Sequence, residues 1–296
     1  MSFSSDVKGE LSKQFSKSRH CQLAELAAMI SMNGRINTQT FEIELITDNV
    51  LLLQKYALLM KQAFSVDISK PLLKEDEKRV LDAIKWEPGK GDHFRTDGLL
   101  VQKDCCKRAF IRGAFLSAGS ISDPTKSYHF EIVCEREEQA WQLKELMQDF
   151  ECDAKIVERK GHFVVYLKEG AQIVDMLNVM EAYVSLMNLE NVRILKEMRN
   201  SLNRQVNCET ANIKKTVSAA VKQIDDIMLI RDTIGFGALP EHLRQMAELR
   251  LEYPDTPLKE LGTLMDPPVG KSGVNHRLRK LSEIAEKCKN GIGGRS

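Results

Sequence analysis

The 296-residue sequence predicts an α+β body built from two repeated units, followed by an all-α domain. Three observations carry this. Two helix-forming stretches recur 85 positions apart with small residues at matching places. Each is followed by alternating, strand-like sequence and then by a second helical run. Beyond Gly237 the chain holds only short helical segments divided by proline and glycine.

The second helix of the pair covers residues 109–120, with Ala109, Gly113 and Ser117 four apart and therefore on one face. So small a face admits another helix closely. Its counterpart lies in residues 23–34: Ala24 and Ala28 answer Ala109 and Gly113, Gly34 answers Gly119, and Ile36 answers Ile121. Every pair differs by 85, as in 109 − 24 and 119 − 34, the mark of an internal repeat. Both helices are expected to run into a glycine-terminated turn.

Residues 40–45 alternate as a strand does, residues 49–64 form a helical run, and 66–68 are a second strand candidate. In the other unit 128–133 is strand-like, 137–150 helical, and 154–158 and 162–167 are strand candidates. Helix, strand, helix, strand thus occurs twice, and two such units joined through their small-faced helices make a pseudo-twofold α+β body. Ahead of them Ser4 or Ser5 can cap a helix with Phe3, Val7 and Leu11 as its apolar stripe. Residues 74–85 form a charged, helix-compatible connector and 86–91 a loop.

Residues 26–34 and 111–119 resemble the paired motifs of LAGLIDADG homing endonucleases. The resemblance implies motif helices packed at a pseudo-dyad and two curved antiparallel sheets forming a saddle for DNA. In that family the last acidic residue of each motif holds the catalytic divalent metals. The matching positions here are Asn33 and Ala118. Metal-assisted phosphodiester cleavage needs hard anionic oxygens, which neither an amide nor a methyl supplies. The resemblance therefore favours the fold and argues against an enzyme. Asp123, the nearest acid beyond the second motif, lies past the turn and is not expected to replace it.

A formal net charge of +1 leaves nucleic-acid binding to local patches. Seven cysteines, with Cys105 and Cys106 adjacent but no Cys-x-x-Cys or Cys/His ligand spacing, read as reduced thiols of a cytosolic protein. The N-terminus carries neither a basic region nor an apolar core, and no apolar run is long enough to span a bilayer. The expectation is a soluble, cytoplasmic, nucleoid-associated protein with no cofactor, no metal and no membrane contact.

Residues 189–207 form a two-faced helix. Val192, Leu195, Met198, Leu202 and Val206 make its apolar stripe; Arg193, Lys196, Asn200, Asn203, Arg204 and Asn207 make a polar face. That face is either solvated or a secondary DNA contact, since Asn and Arg reach both phosphates and base edges. Residues 208–212 look like a joint, 217–230 like another helix, and 232–237 like a linker. Pro240 then opens a helix to about Leu251, Thr256 and Pro257 start a second with Leu258, Leu261 and Leu264, and Ser272 can cap a third with Val274, Leu278, Leu281, Ile284 and Ala285. This order reads as a helix-turn-helix. Lys271, Ser272, Asn275, His276, Arg277, Arg279 and Lys280 give the start of the third helix base without acid, and that half enters the major groove in such folds.

A degenerate LAGLIDADG pair followed by a helix-turn-helix resembles the WhiA family of Gram-positive bacteria. Residues 2–8, 108–120, 203–212 and 271–280 carry the likeness. It implies a DNA-binding protein of cell division, chromosome segregation and, in sporulating lineages, developmental transcription. The expected partners are double-stranded DNA and a protein of transcription or cell division. The residues do not choose between a sequence-specific regulator and a nucleoid-associated division factor. The boundaries expected are 1–195 for the LAGLIDADG-like body (repeats about 21–73 and 105–180), 196–238 for connecting helices and linker, 239–290 for the helix-turn-helix and 291–296 for a flexible tail.

Overall fold

A computed structural model describes residues 2–69 and 72–292. It divides into two compact units, Met1–Glu197 and Met198–Ser296. The first unit is α+β. In order it holds α1 (Phe3–Leu11), α2 (Arg19–Asn33), β1 (Gly34–Ile36), β2 (Ile43–Leu45), α3 (Val50–Phe64) and α4 (Lys74–Ala83). The second repeat follows as α5 (Asp104–Ala118), β3 (Gly119–Ile121), β4 (Phe130–Cys134), α6 (Glu137–Gln148), β5 (Lys155–Arg159) and β6 (His162–Leu167), and α7 (Gly170–Val179) comes after it.

The two small-faced helices, α2 and α5, pack against each other at the centre. Ala24, Ala28 and Ala109 are wholly buried there. A Cβ added to Gly113 would lie 2.6 Å from the Glu25 carbonyl oxygen and 3.1 Å from the Ala28 Cβ, so this crossing admits only glycine. Gly34 and Gly119 depart from the expected glycine turn. Both have extended backbones (φ −81° and −86°), and each helix passes directly into a strand. Glycine is needed here for room: a Cβ would come within 2.4 Å of the Ile30 carbonyl oxygen at Gly34 and 2.2 Å of the Phe115 ring at Gly119.

The sheets are antiparallel, one of two strands (β1-β2) and one of four (β3-β4-β6-β5). Gly34 faces Leu45 in the first and Gly119 faces Ile132 in the second. Residues 66–68, expected as a strand, pair with nothing in either sheet. The Asp67 carboxylate accepts from the Ser69 amide and hydroxyl and turns the chain. The outer edge of β2 is met by a side chain instead, the Ile43 amide donating to Glu77 of α4 at 3.3 Å.

Helix α1 is capped by Ser2, not Ser4 or Ser5; Ser5 returns the bond from its third position, completing a capping box. Arg112 of α5 is buried. Its Nε and Nη2 each lie 3.0 Å from a Glu25 oxygen and its Nη1 2.7 Å from Glu181. Lys55, also buried, sits 3.2 Å from Glu25 and donates to the carbonyls of Leu11 and Gln14. Burial disfavours both cations. For Arg112 the two carboxylates outweigh it and hold the guanidinium above its usual value, whereas the Lys55 ammonium is lowered.

Helix α8 (Tyr183–Thr233) leaves the first unit and enters the second. Its start is held by Glu10, whose carboxylate accepts from the Val184 and Ser185 amides at 2.8 and 2.9 Å. The joint expected at residues 208–212 does not exist. No glycine or proline interrupts the 51 residues, and polar residues at 208–212 continue a helix that is solvent-exposed on all sides from 197 to 219.

The second unit adds α9 (Glu241–Glu252), α10 (Leu258–Thr263) and α11 (Lys271–Ile292). Pro240 and Pro257 stand at the cap positions, one residue before α9 and α10. Ser272 lies inside the first turn of α11 instead of capping it. Ile227 and Ile230 of α8 join Leu243, Met246, Leu261, Met265, Val274, Leu278 and Leu281 in one core. Met265 fills the place expected for Leu264, which is exposed. Helix α11 reaches two residues into the expected tail, and 293–296 lie outside the described residues.

Candidate nucleic-acid interface

The buried side of α11 consists of Val274, Leu278, Leu281 and Ala285. Helical spacing then sends Ser272, Asn275, His276 and Arg279 to the opposite side, and all four are exposed. Lys271 and Lys280 flank them, also exposed. Lys280 pairs with Glu283 at 2.7 Å across one turn, holding that carboxyl below its usual value. An exposed pair of this kind is weak and leaves Lys280 able to turn to a phosphate. Arg277 is different: half-buried, its guanidinium lies against the Met265 sulfur. Six of the seven residues singled out from sequence therefore share the exposed side and margins of α11, and Arg277 points toward its base.

The approach of α10 to α11 sets the angle of this helix. A Cβ on Gly262 would lie 2.2 Å from the Val269 carbonyl oxygen and 3.1 Å from Val274. Buried Arg250 of α9 donates to the Thr256 carbonyl at 2.8 Å, tying the turn before α10. Lys271 and Asn275 also line a groove of about 590 Å³ with Val217 and Val221 of α8 and Pro254 and Lys259.

The secondary candidates on α8 separate into two groups. Arg193 lies 3.1 Å from Glu190, and Lys196 donates to the Pro124 carbonyl at 2.7 Å over the Tyr128 ring. These two cations are engaged within the first unit. Asn200, Asn203, Arg204 and Asn207 project into solvent. On the outward face of the four-stranded sheet, Ser120, Glu131, Tyr166 and Lys155 stand in register, so the row is of mixed charge.

At the ends of the motif helices, the Asn33 amide donates to the Ile46 carbonyl at 3.0 Å, and Ala118 offers no ligand. Asp123 is a turn builder. Its carboxylate accepts from the Thr125 amide and hydroxyl at 2.8 and 2.7 Å, which keeps it below its usual value. Sequence spacing missed one cluster. His20, Cys21, Cys105 and Cys106 meet at the opposite ends of α2 and α5, with ligand-capable atoms all within 4.8 Å of one another. Local spacing could not find it, but the repeat offset could: 105 − 20 and 106 − 21 both equal 85.

Three family models match the chain: the WhiA N-terminal LAGLIDADG-like domain over residues 19–75, the WhiA LAGLIDADG-like domain over 107–199, and the WhiA C-terminal helix-turn-helix domain over 202–285. A "Probable cell division protein WhiA" of Lachnoclostridium phytofermentans is 52% identical over 97% of this chain and 99% of its own. The chain belongs to the WhiA family. A second WhiA relative, named in the same words, from Alkaliphilus oremlandii, is 48% identical over 98% of this chain and 99% of its own. The crystal structure of full-length WhiA from Thermatoga maritima aligns with a TM-score of 0.58 at 25% identity, covering 97% of this chain and 99% of that one. The WhiA fold, an α+β LAGLIDADG-like unit and a helical helix-turn-helix unit, is thus the fold of this chain. Among the described residues no helix is long and apolar enough to cross a membrane.

Proposed function

We propose that this chain is a non-catalytic DNA-binding factor of cell division and chromosome segregation, that it binds double-stranded DNA sequence-specifically through α11, and that it acts as a regulator of transcription. The observation that carries the reading is the acid-free, exposed start of α11 seated on a well-packed helical core. Asn275 and Arg279 have the chemistry to read base edges; Lys271, Ser272 and Lys280 have the chemistry to hold phosphates. Absence of a carboxylate at Asn33 and Ala118 supports a body that has lost phosphodiester cleavage. The proposed compartment is the cytoplasm, at the nucleoid.

The test is capture of sheared genomic DNA by the full chain at physiological salt with Mg²⁺, followed by sequencing. Intact fragments sharing a short motif are expected. Arg279→Ala combined with Asn275→Ala should weaken binding to that motif by at least roughly tenfold, each base contact contributing about 1–3 kcal/mol. Affinity unchanged in that variant sinks the assignment to α11, and fragments with new common ends sink the non-catalytic reading.

One observation favours a second reading, a division factor that acts mainly by binding a protein. Leu202, Val206, Ile213 and Val217 are each more than half exposed along α8 (56–64%). Absence of any DNA enrichment would favour that reading, whereas broad, motif-free capture would point to a nucleoid-associated role.

A further inference from the structure

We propose that His20 Nδ1 and the thiolates of Cys21, Cys105 and Cys106 form a tetrahedral zinc site that ties together the starts of the two repeat helices. His20 and Cys21 are the second and third residues of α2; Cys105 and Cys106 are the second and third residues of α5. The pseudo-dyad relates the two pairs and brings them face to face. His20 Nδ1 lies 3.2 Å from the Cys106 sulfur and 3.3 Å from the Cys21 sulfur. Zinc bonds of about 2.3 Å to sulfur and 2.0–2.1 Å to nitrogen place ligand atoms of a tetrahedron roughly 3.4–3.8 Å apart. The two closest contacts, at 3.2 and 3.3 Å, fall just below that span, and the four ligand atoms all lie within 4.8 Å of one another.

Chemistry selects the metal. Three sulfurs and an imidazole are the soft donor set of structural zinc, and four protein ligands close the site to substrate. All four ligands sit in first helical turns, where unbonded amides and the helix dipole favour thiolates. Zinc entering such a cluster displaces three thiol protons to solvent and leaves one net negative charge beside two helix N-termini. The site is separate from the metal positions of homing endonucleases, which fall at the other ends of the same helices. Cys21 and Asn33 are 12 residues apart on α2, roughly 18 Å at the helical rise.

The experiment is metal analysis of the full chain purified under reducing conditions, then replacement of zinc by cobalt(II). Close to one zinc per chain is expected, with thiolate-to-cobalt charge-transfer absorption and the visible bands of tetrahedral cobalt. Cys105 is exposed, so Cys105→Ser keeps the fold by circular dichroism and lowers zinc affinity at least roughly tenfold, since loss of a ligand exceeds the effect of losing its supports. Cys208→Ser, an exposed thiol on α8, leaves zinc content unchanged. Background zinc together with no cobalt charge-transfer band overturns the proposal. So does undiminished zinc in Cys105→Ser, or an intact mass that reports a disulfide among these cysteines. The readout is metal content, so it stands or falls apart from the reading of DNA binding.

Discussion

The two repeats share their central helices but not their sheets, and the difference shows where the fold is constrained. In the second repeat the outer edge of β4 is paired by β6, and β6 by β5. In the first the corresponding edge of β2 ends at a single carboxylate, Glu77, beside a groove of about 250 Å³ lined by Leu53, Tyr56, Ile68 and Leu72. Both repeats must fit each other at α2 and α5, where one methyl too many collides with backbone. Farther from that contact each sheet answers only to its own repeat, and among the described residues the first holds two strands where the second holds four.

The largest effect should come from the one place where charge breaks the symmetry of the central contact. Glu25→Ala leaves Lys55 and Arg112 buried with only the half-exposed Glu181 opposite, and should destabilise the first unit by about 3–5 kcal/mol in urea unfolding. A loss below 1 kcal/mol would mean that the network is hydrated, not buried. Next, Gly113→Val forces α2 and α5 apart and should cost about 3 kcal/mol, whereas a change of the same size at exposed Gly98 should cost little. Equal costs would remove the argument that the dyad is the constrained site.

The smallest effect sharpens the contrast between the sheets. Glu77→Gln keeps an acceptor for the Ile43 amide and should change stability at neutral pH by less than about 0.5 kcal/mol. Burial is the main cause holding the Glu77 carboxyl above its usual value. A raised carboxyl is harder to ionise in the folded chain, so its ionised form costs stability. That cost is absent below the unfolded value and complete once pH has passed the folded one. Wild type should therefore gain stability relative to Glu77→Gln as pH falls from neutral through that window. Parallel pH profiles of the two proteins would show that Glu77 is solvated.

What could be read from sequence was local or periodic. The small faces of α2 and α5 announced their contact, and the alternation of core positions along α11 separated its buried side from the side with Asn275 and Arg279. The misreadings involve partners distant in sequence. The burial of Arg112 leaves no local sign, because Glu25 stands 87 residues away. Residues 66–68 looked like a strand because nothing nearby reveals that Glu77 occupies the edge they would have joined. The run 208–212 looked like a joint because polar residues resemble a turn until a helix is found to pass through solvent there. His20 and Cys21 had no visible ligand partners because symmetry, not spacing, supplies them.

The Glu25–Arg112 pair has a consequence for assembly. Arg112 belongs to one repeat and Glu25 to the other, and neither has an ionic counterpart at the equivalent position, where Ala27 and Phe110 stand. Two copies of the first repeat docked on one another would leave each Glu25 with Lys55 but without the bidentate Arg112, and two copies of the second would leave each Arg112 with Glu181 alone. Each half is thus keyed to its opposite, and the like-with-like pairing that a duplicated fold invites forfeits the buried bidentate pair.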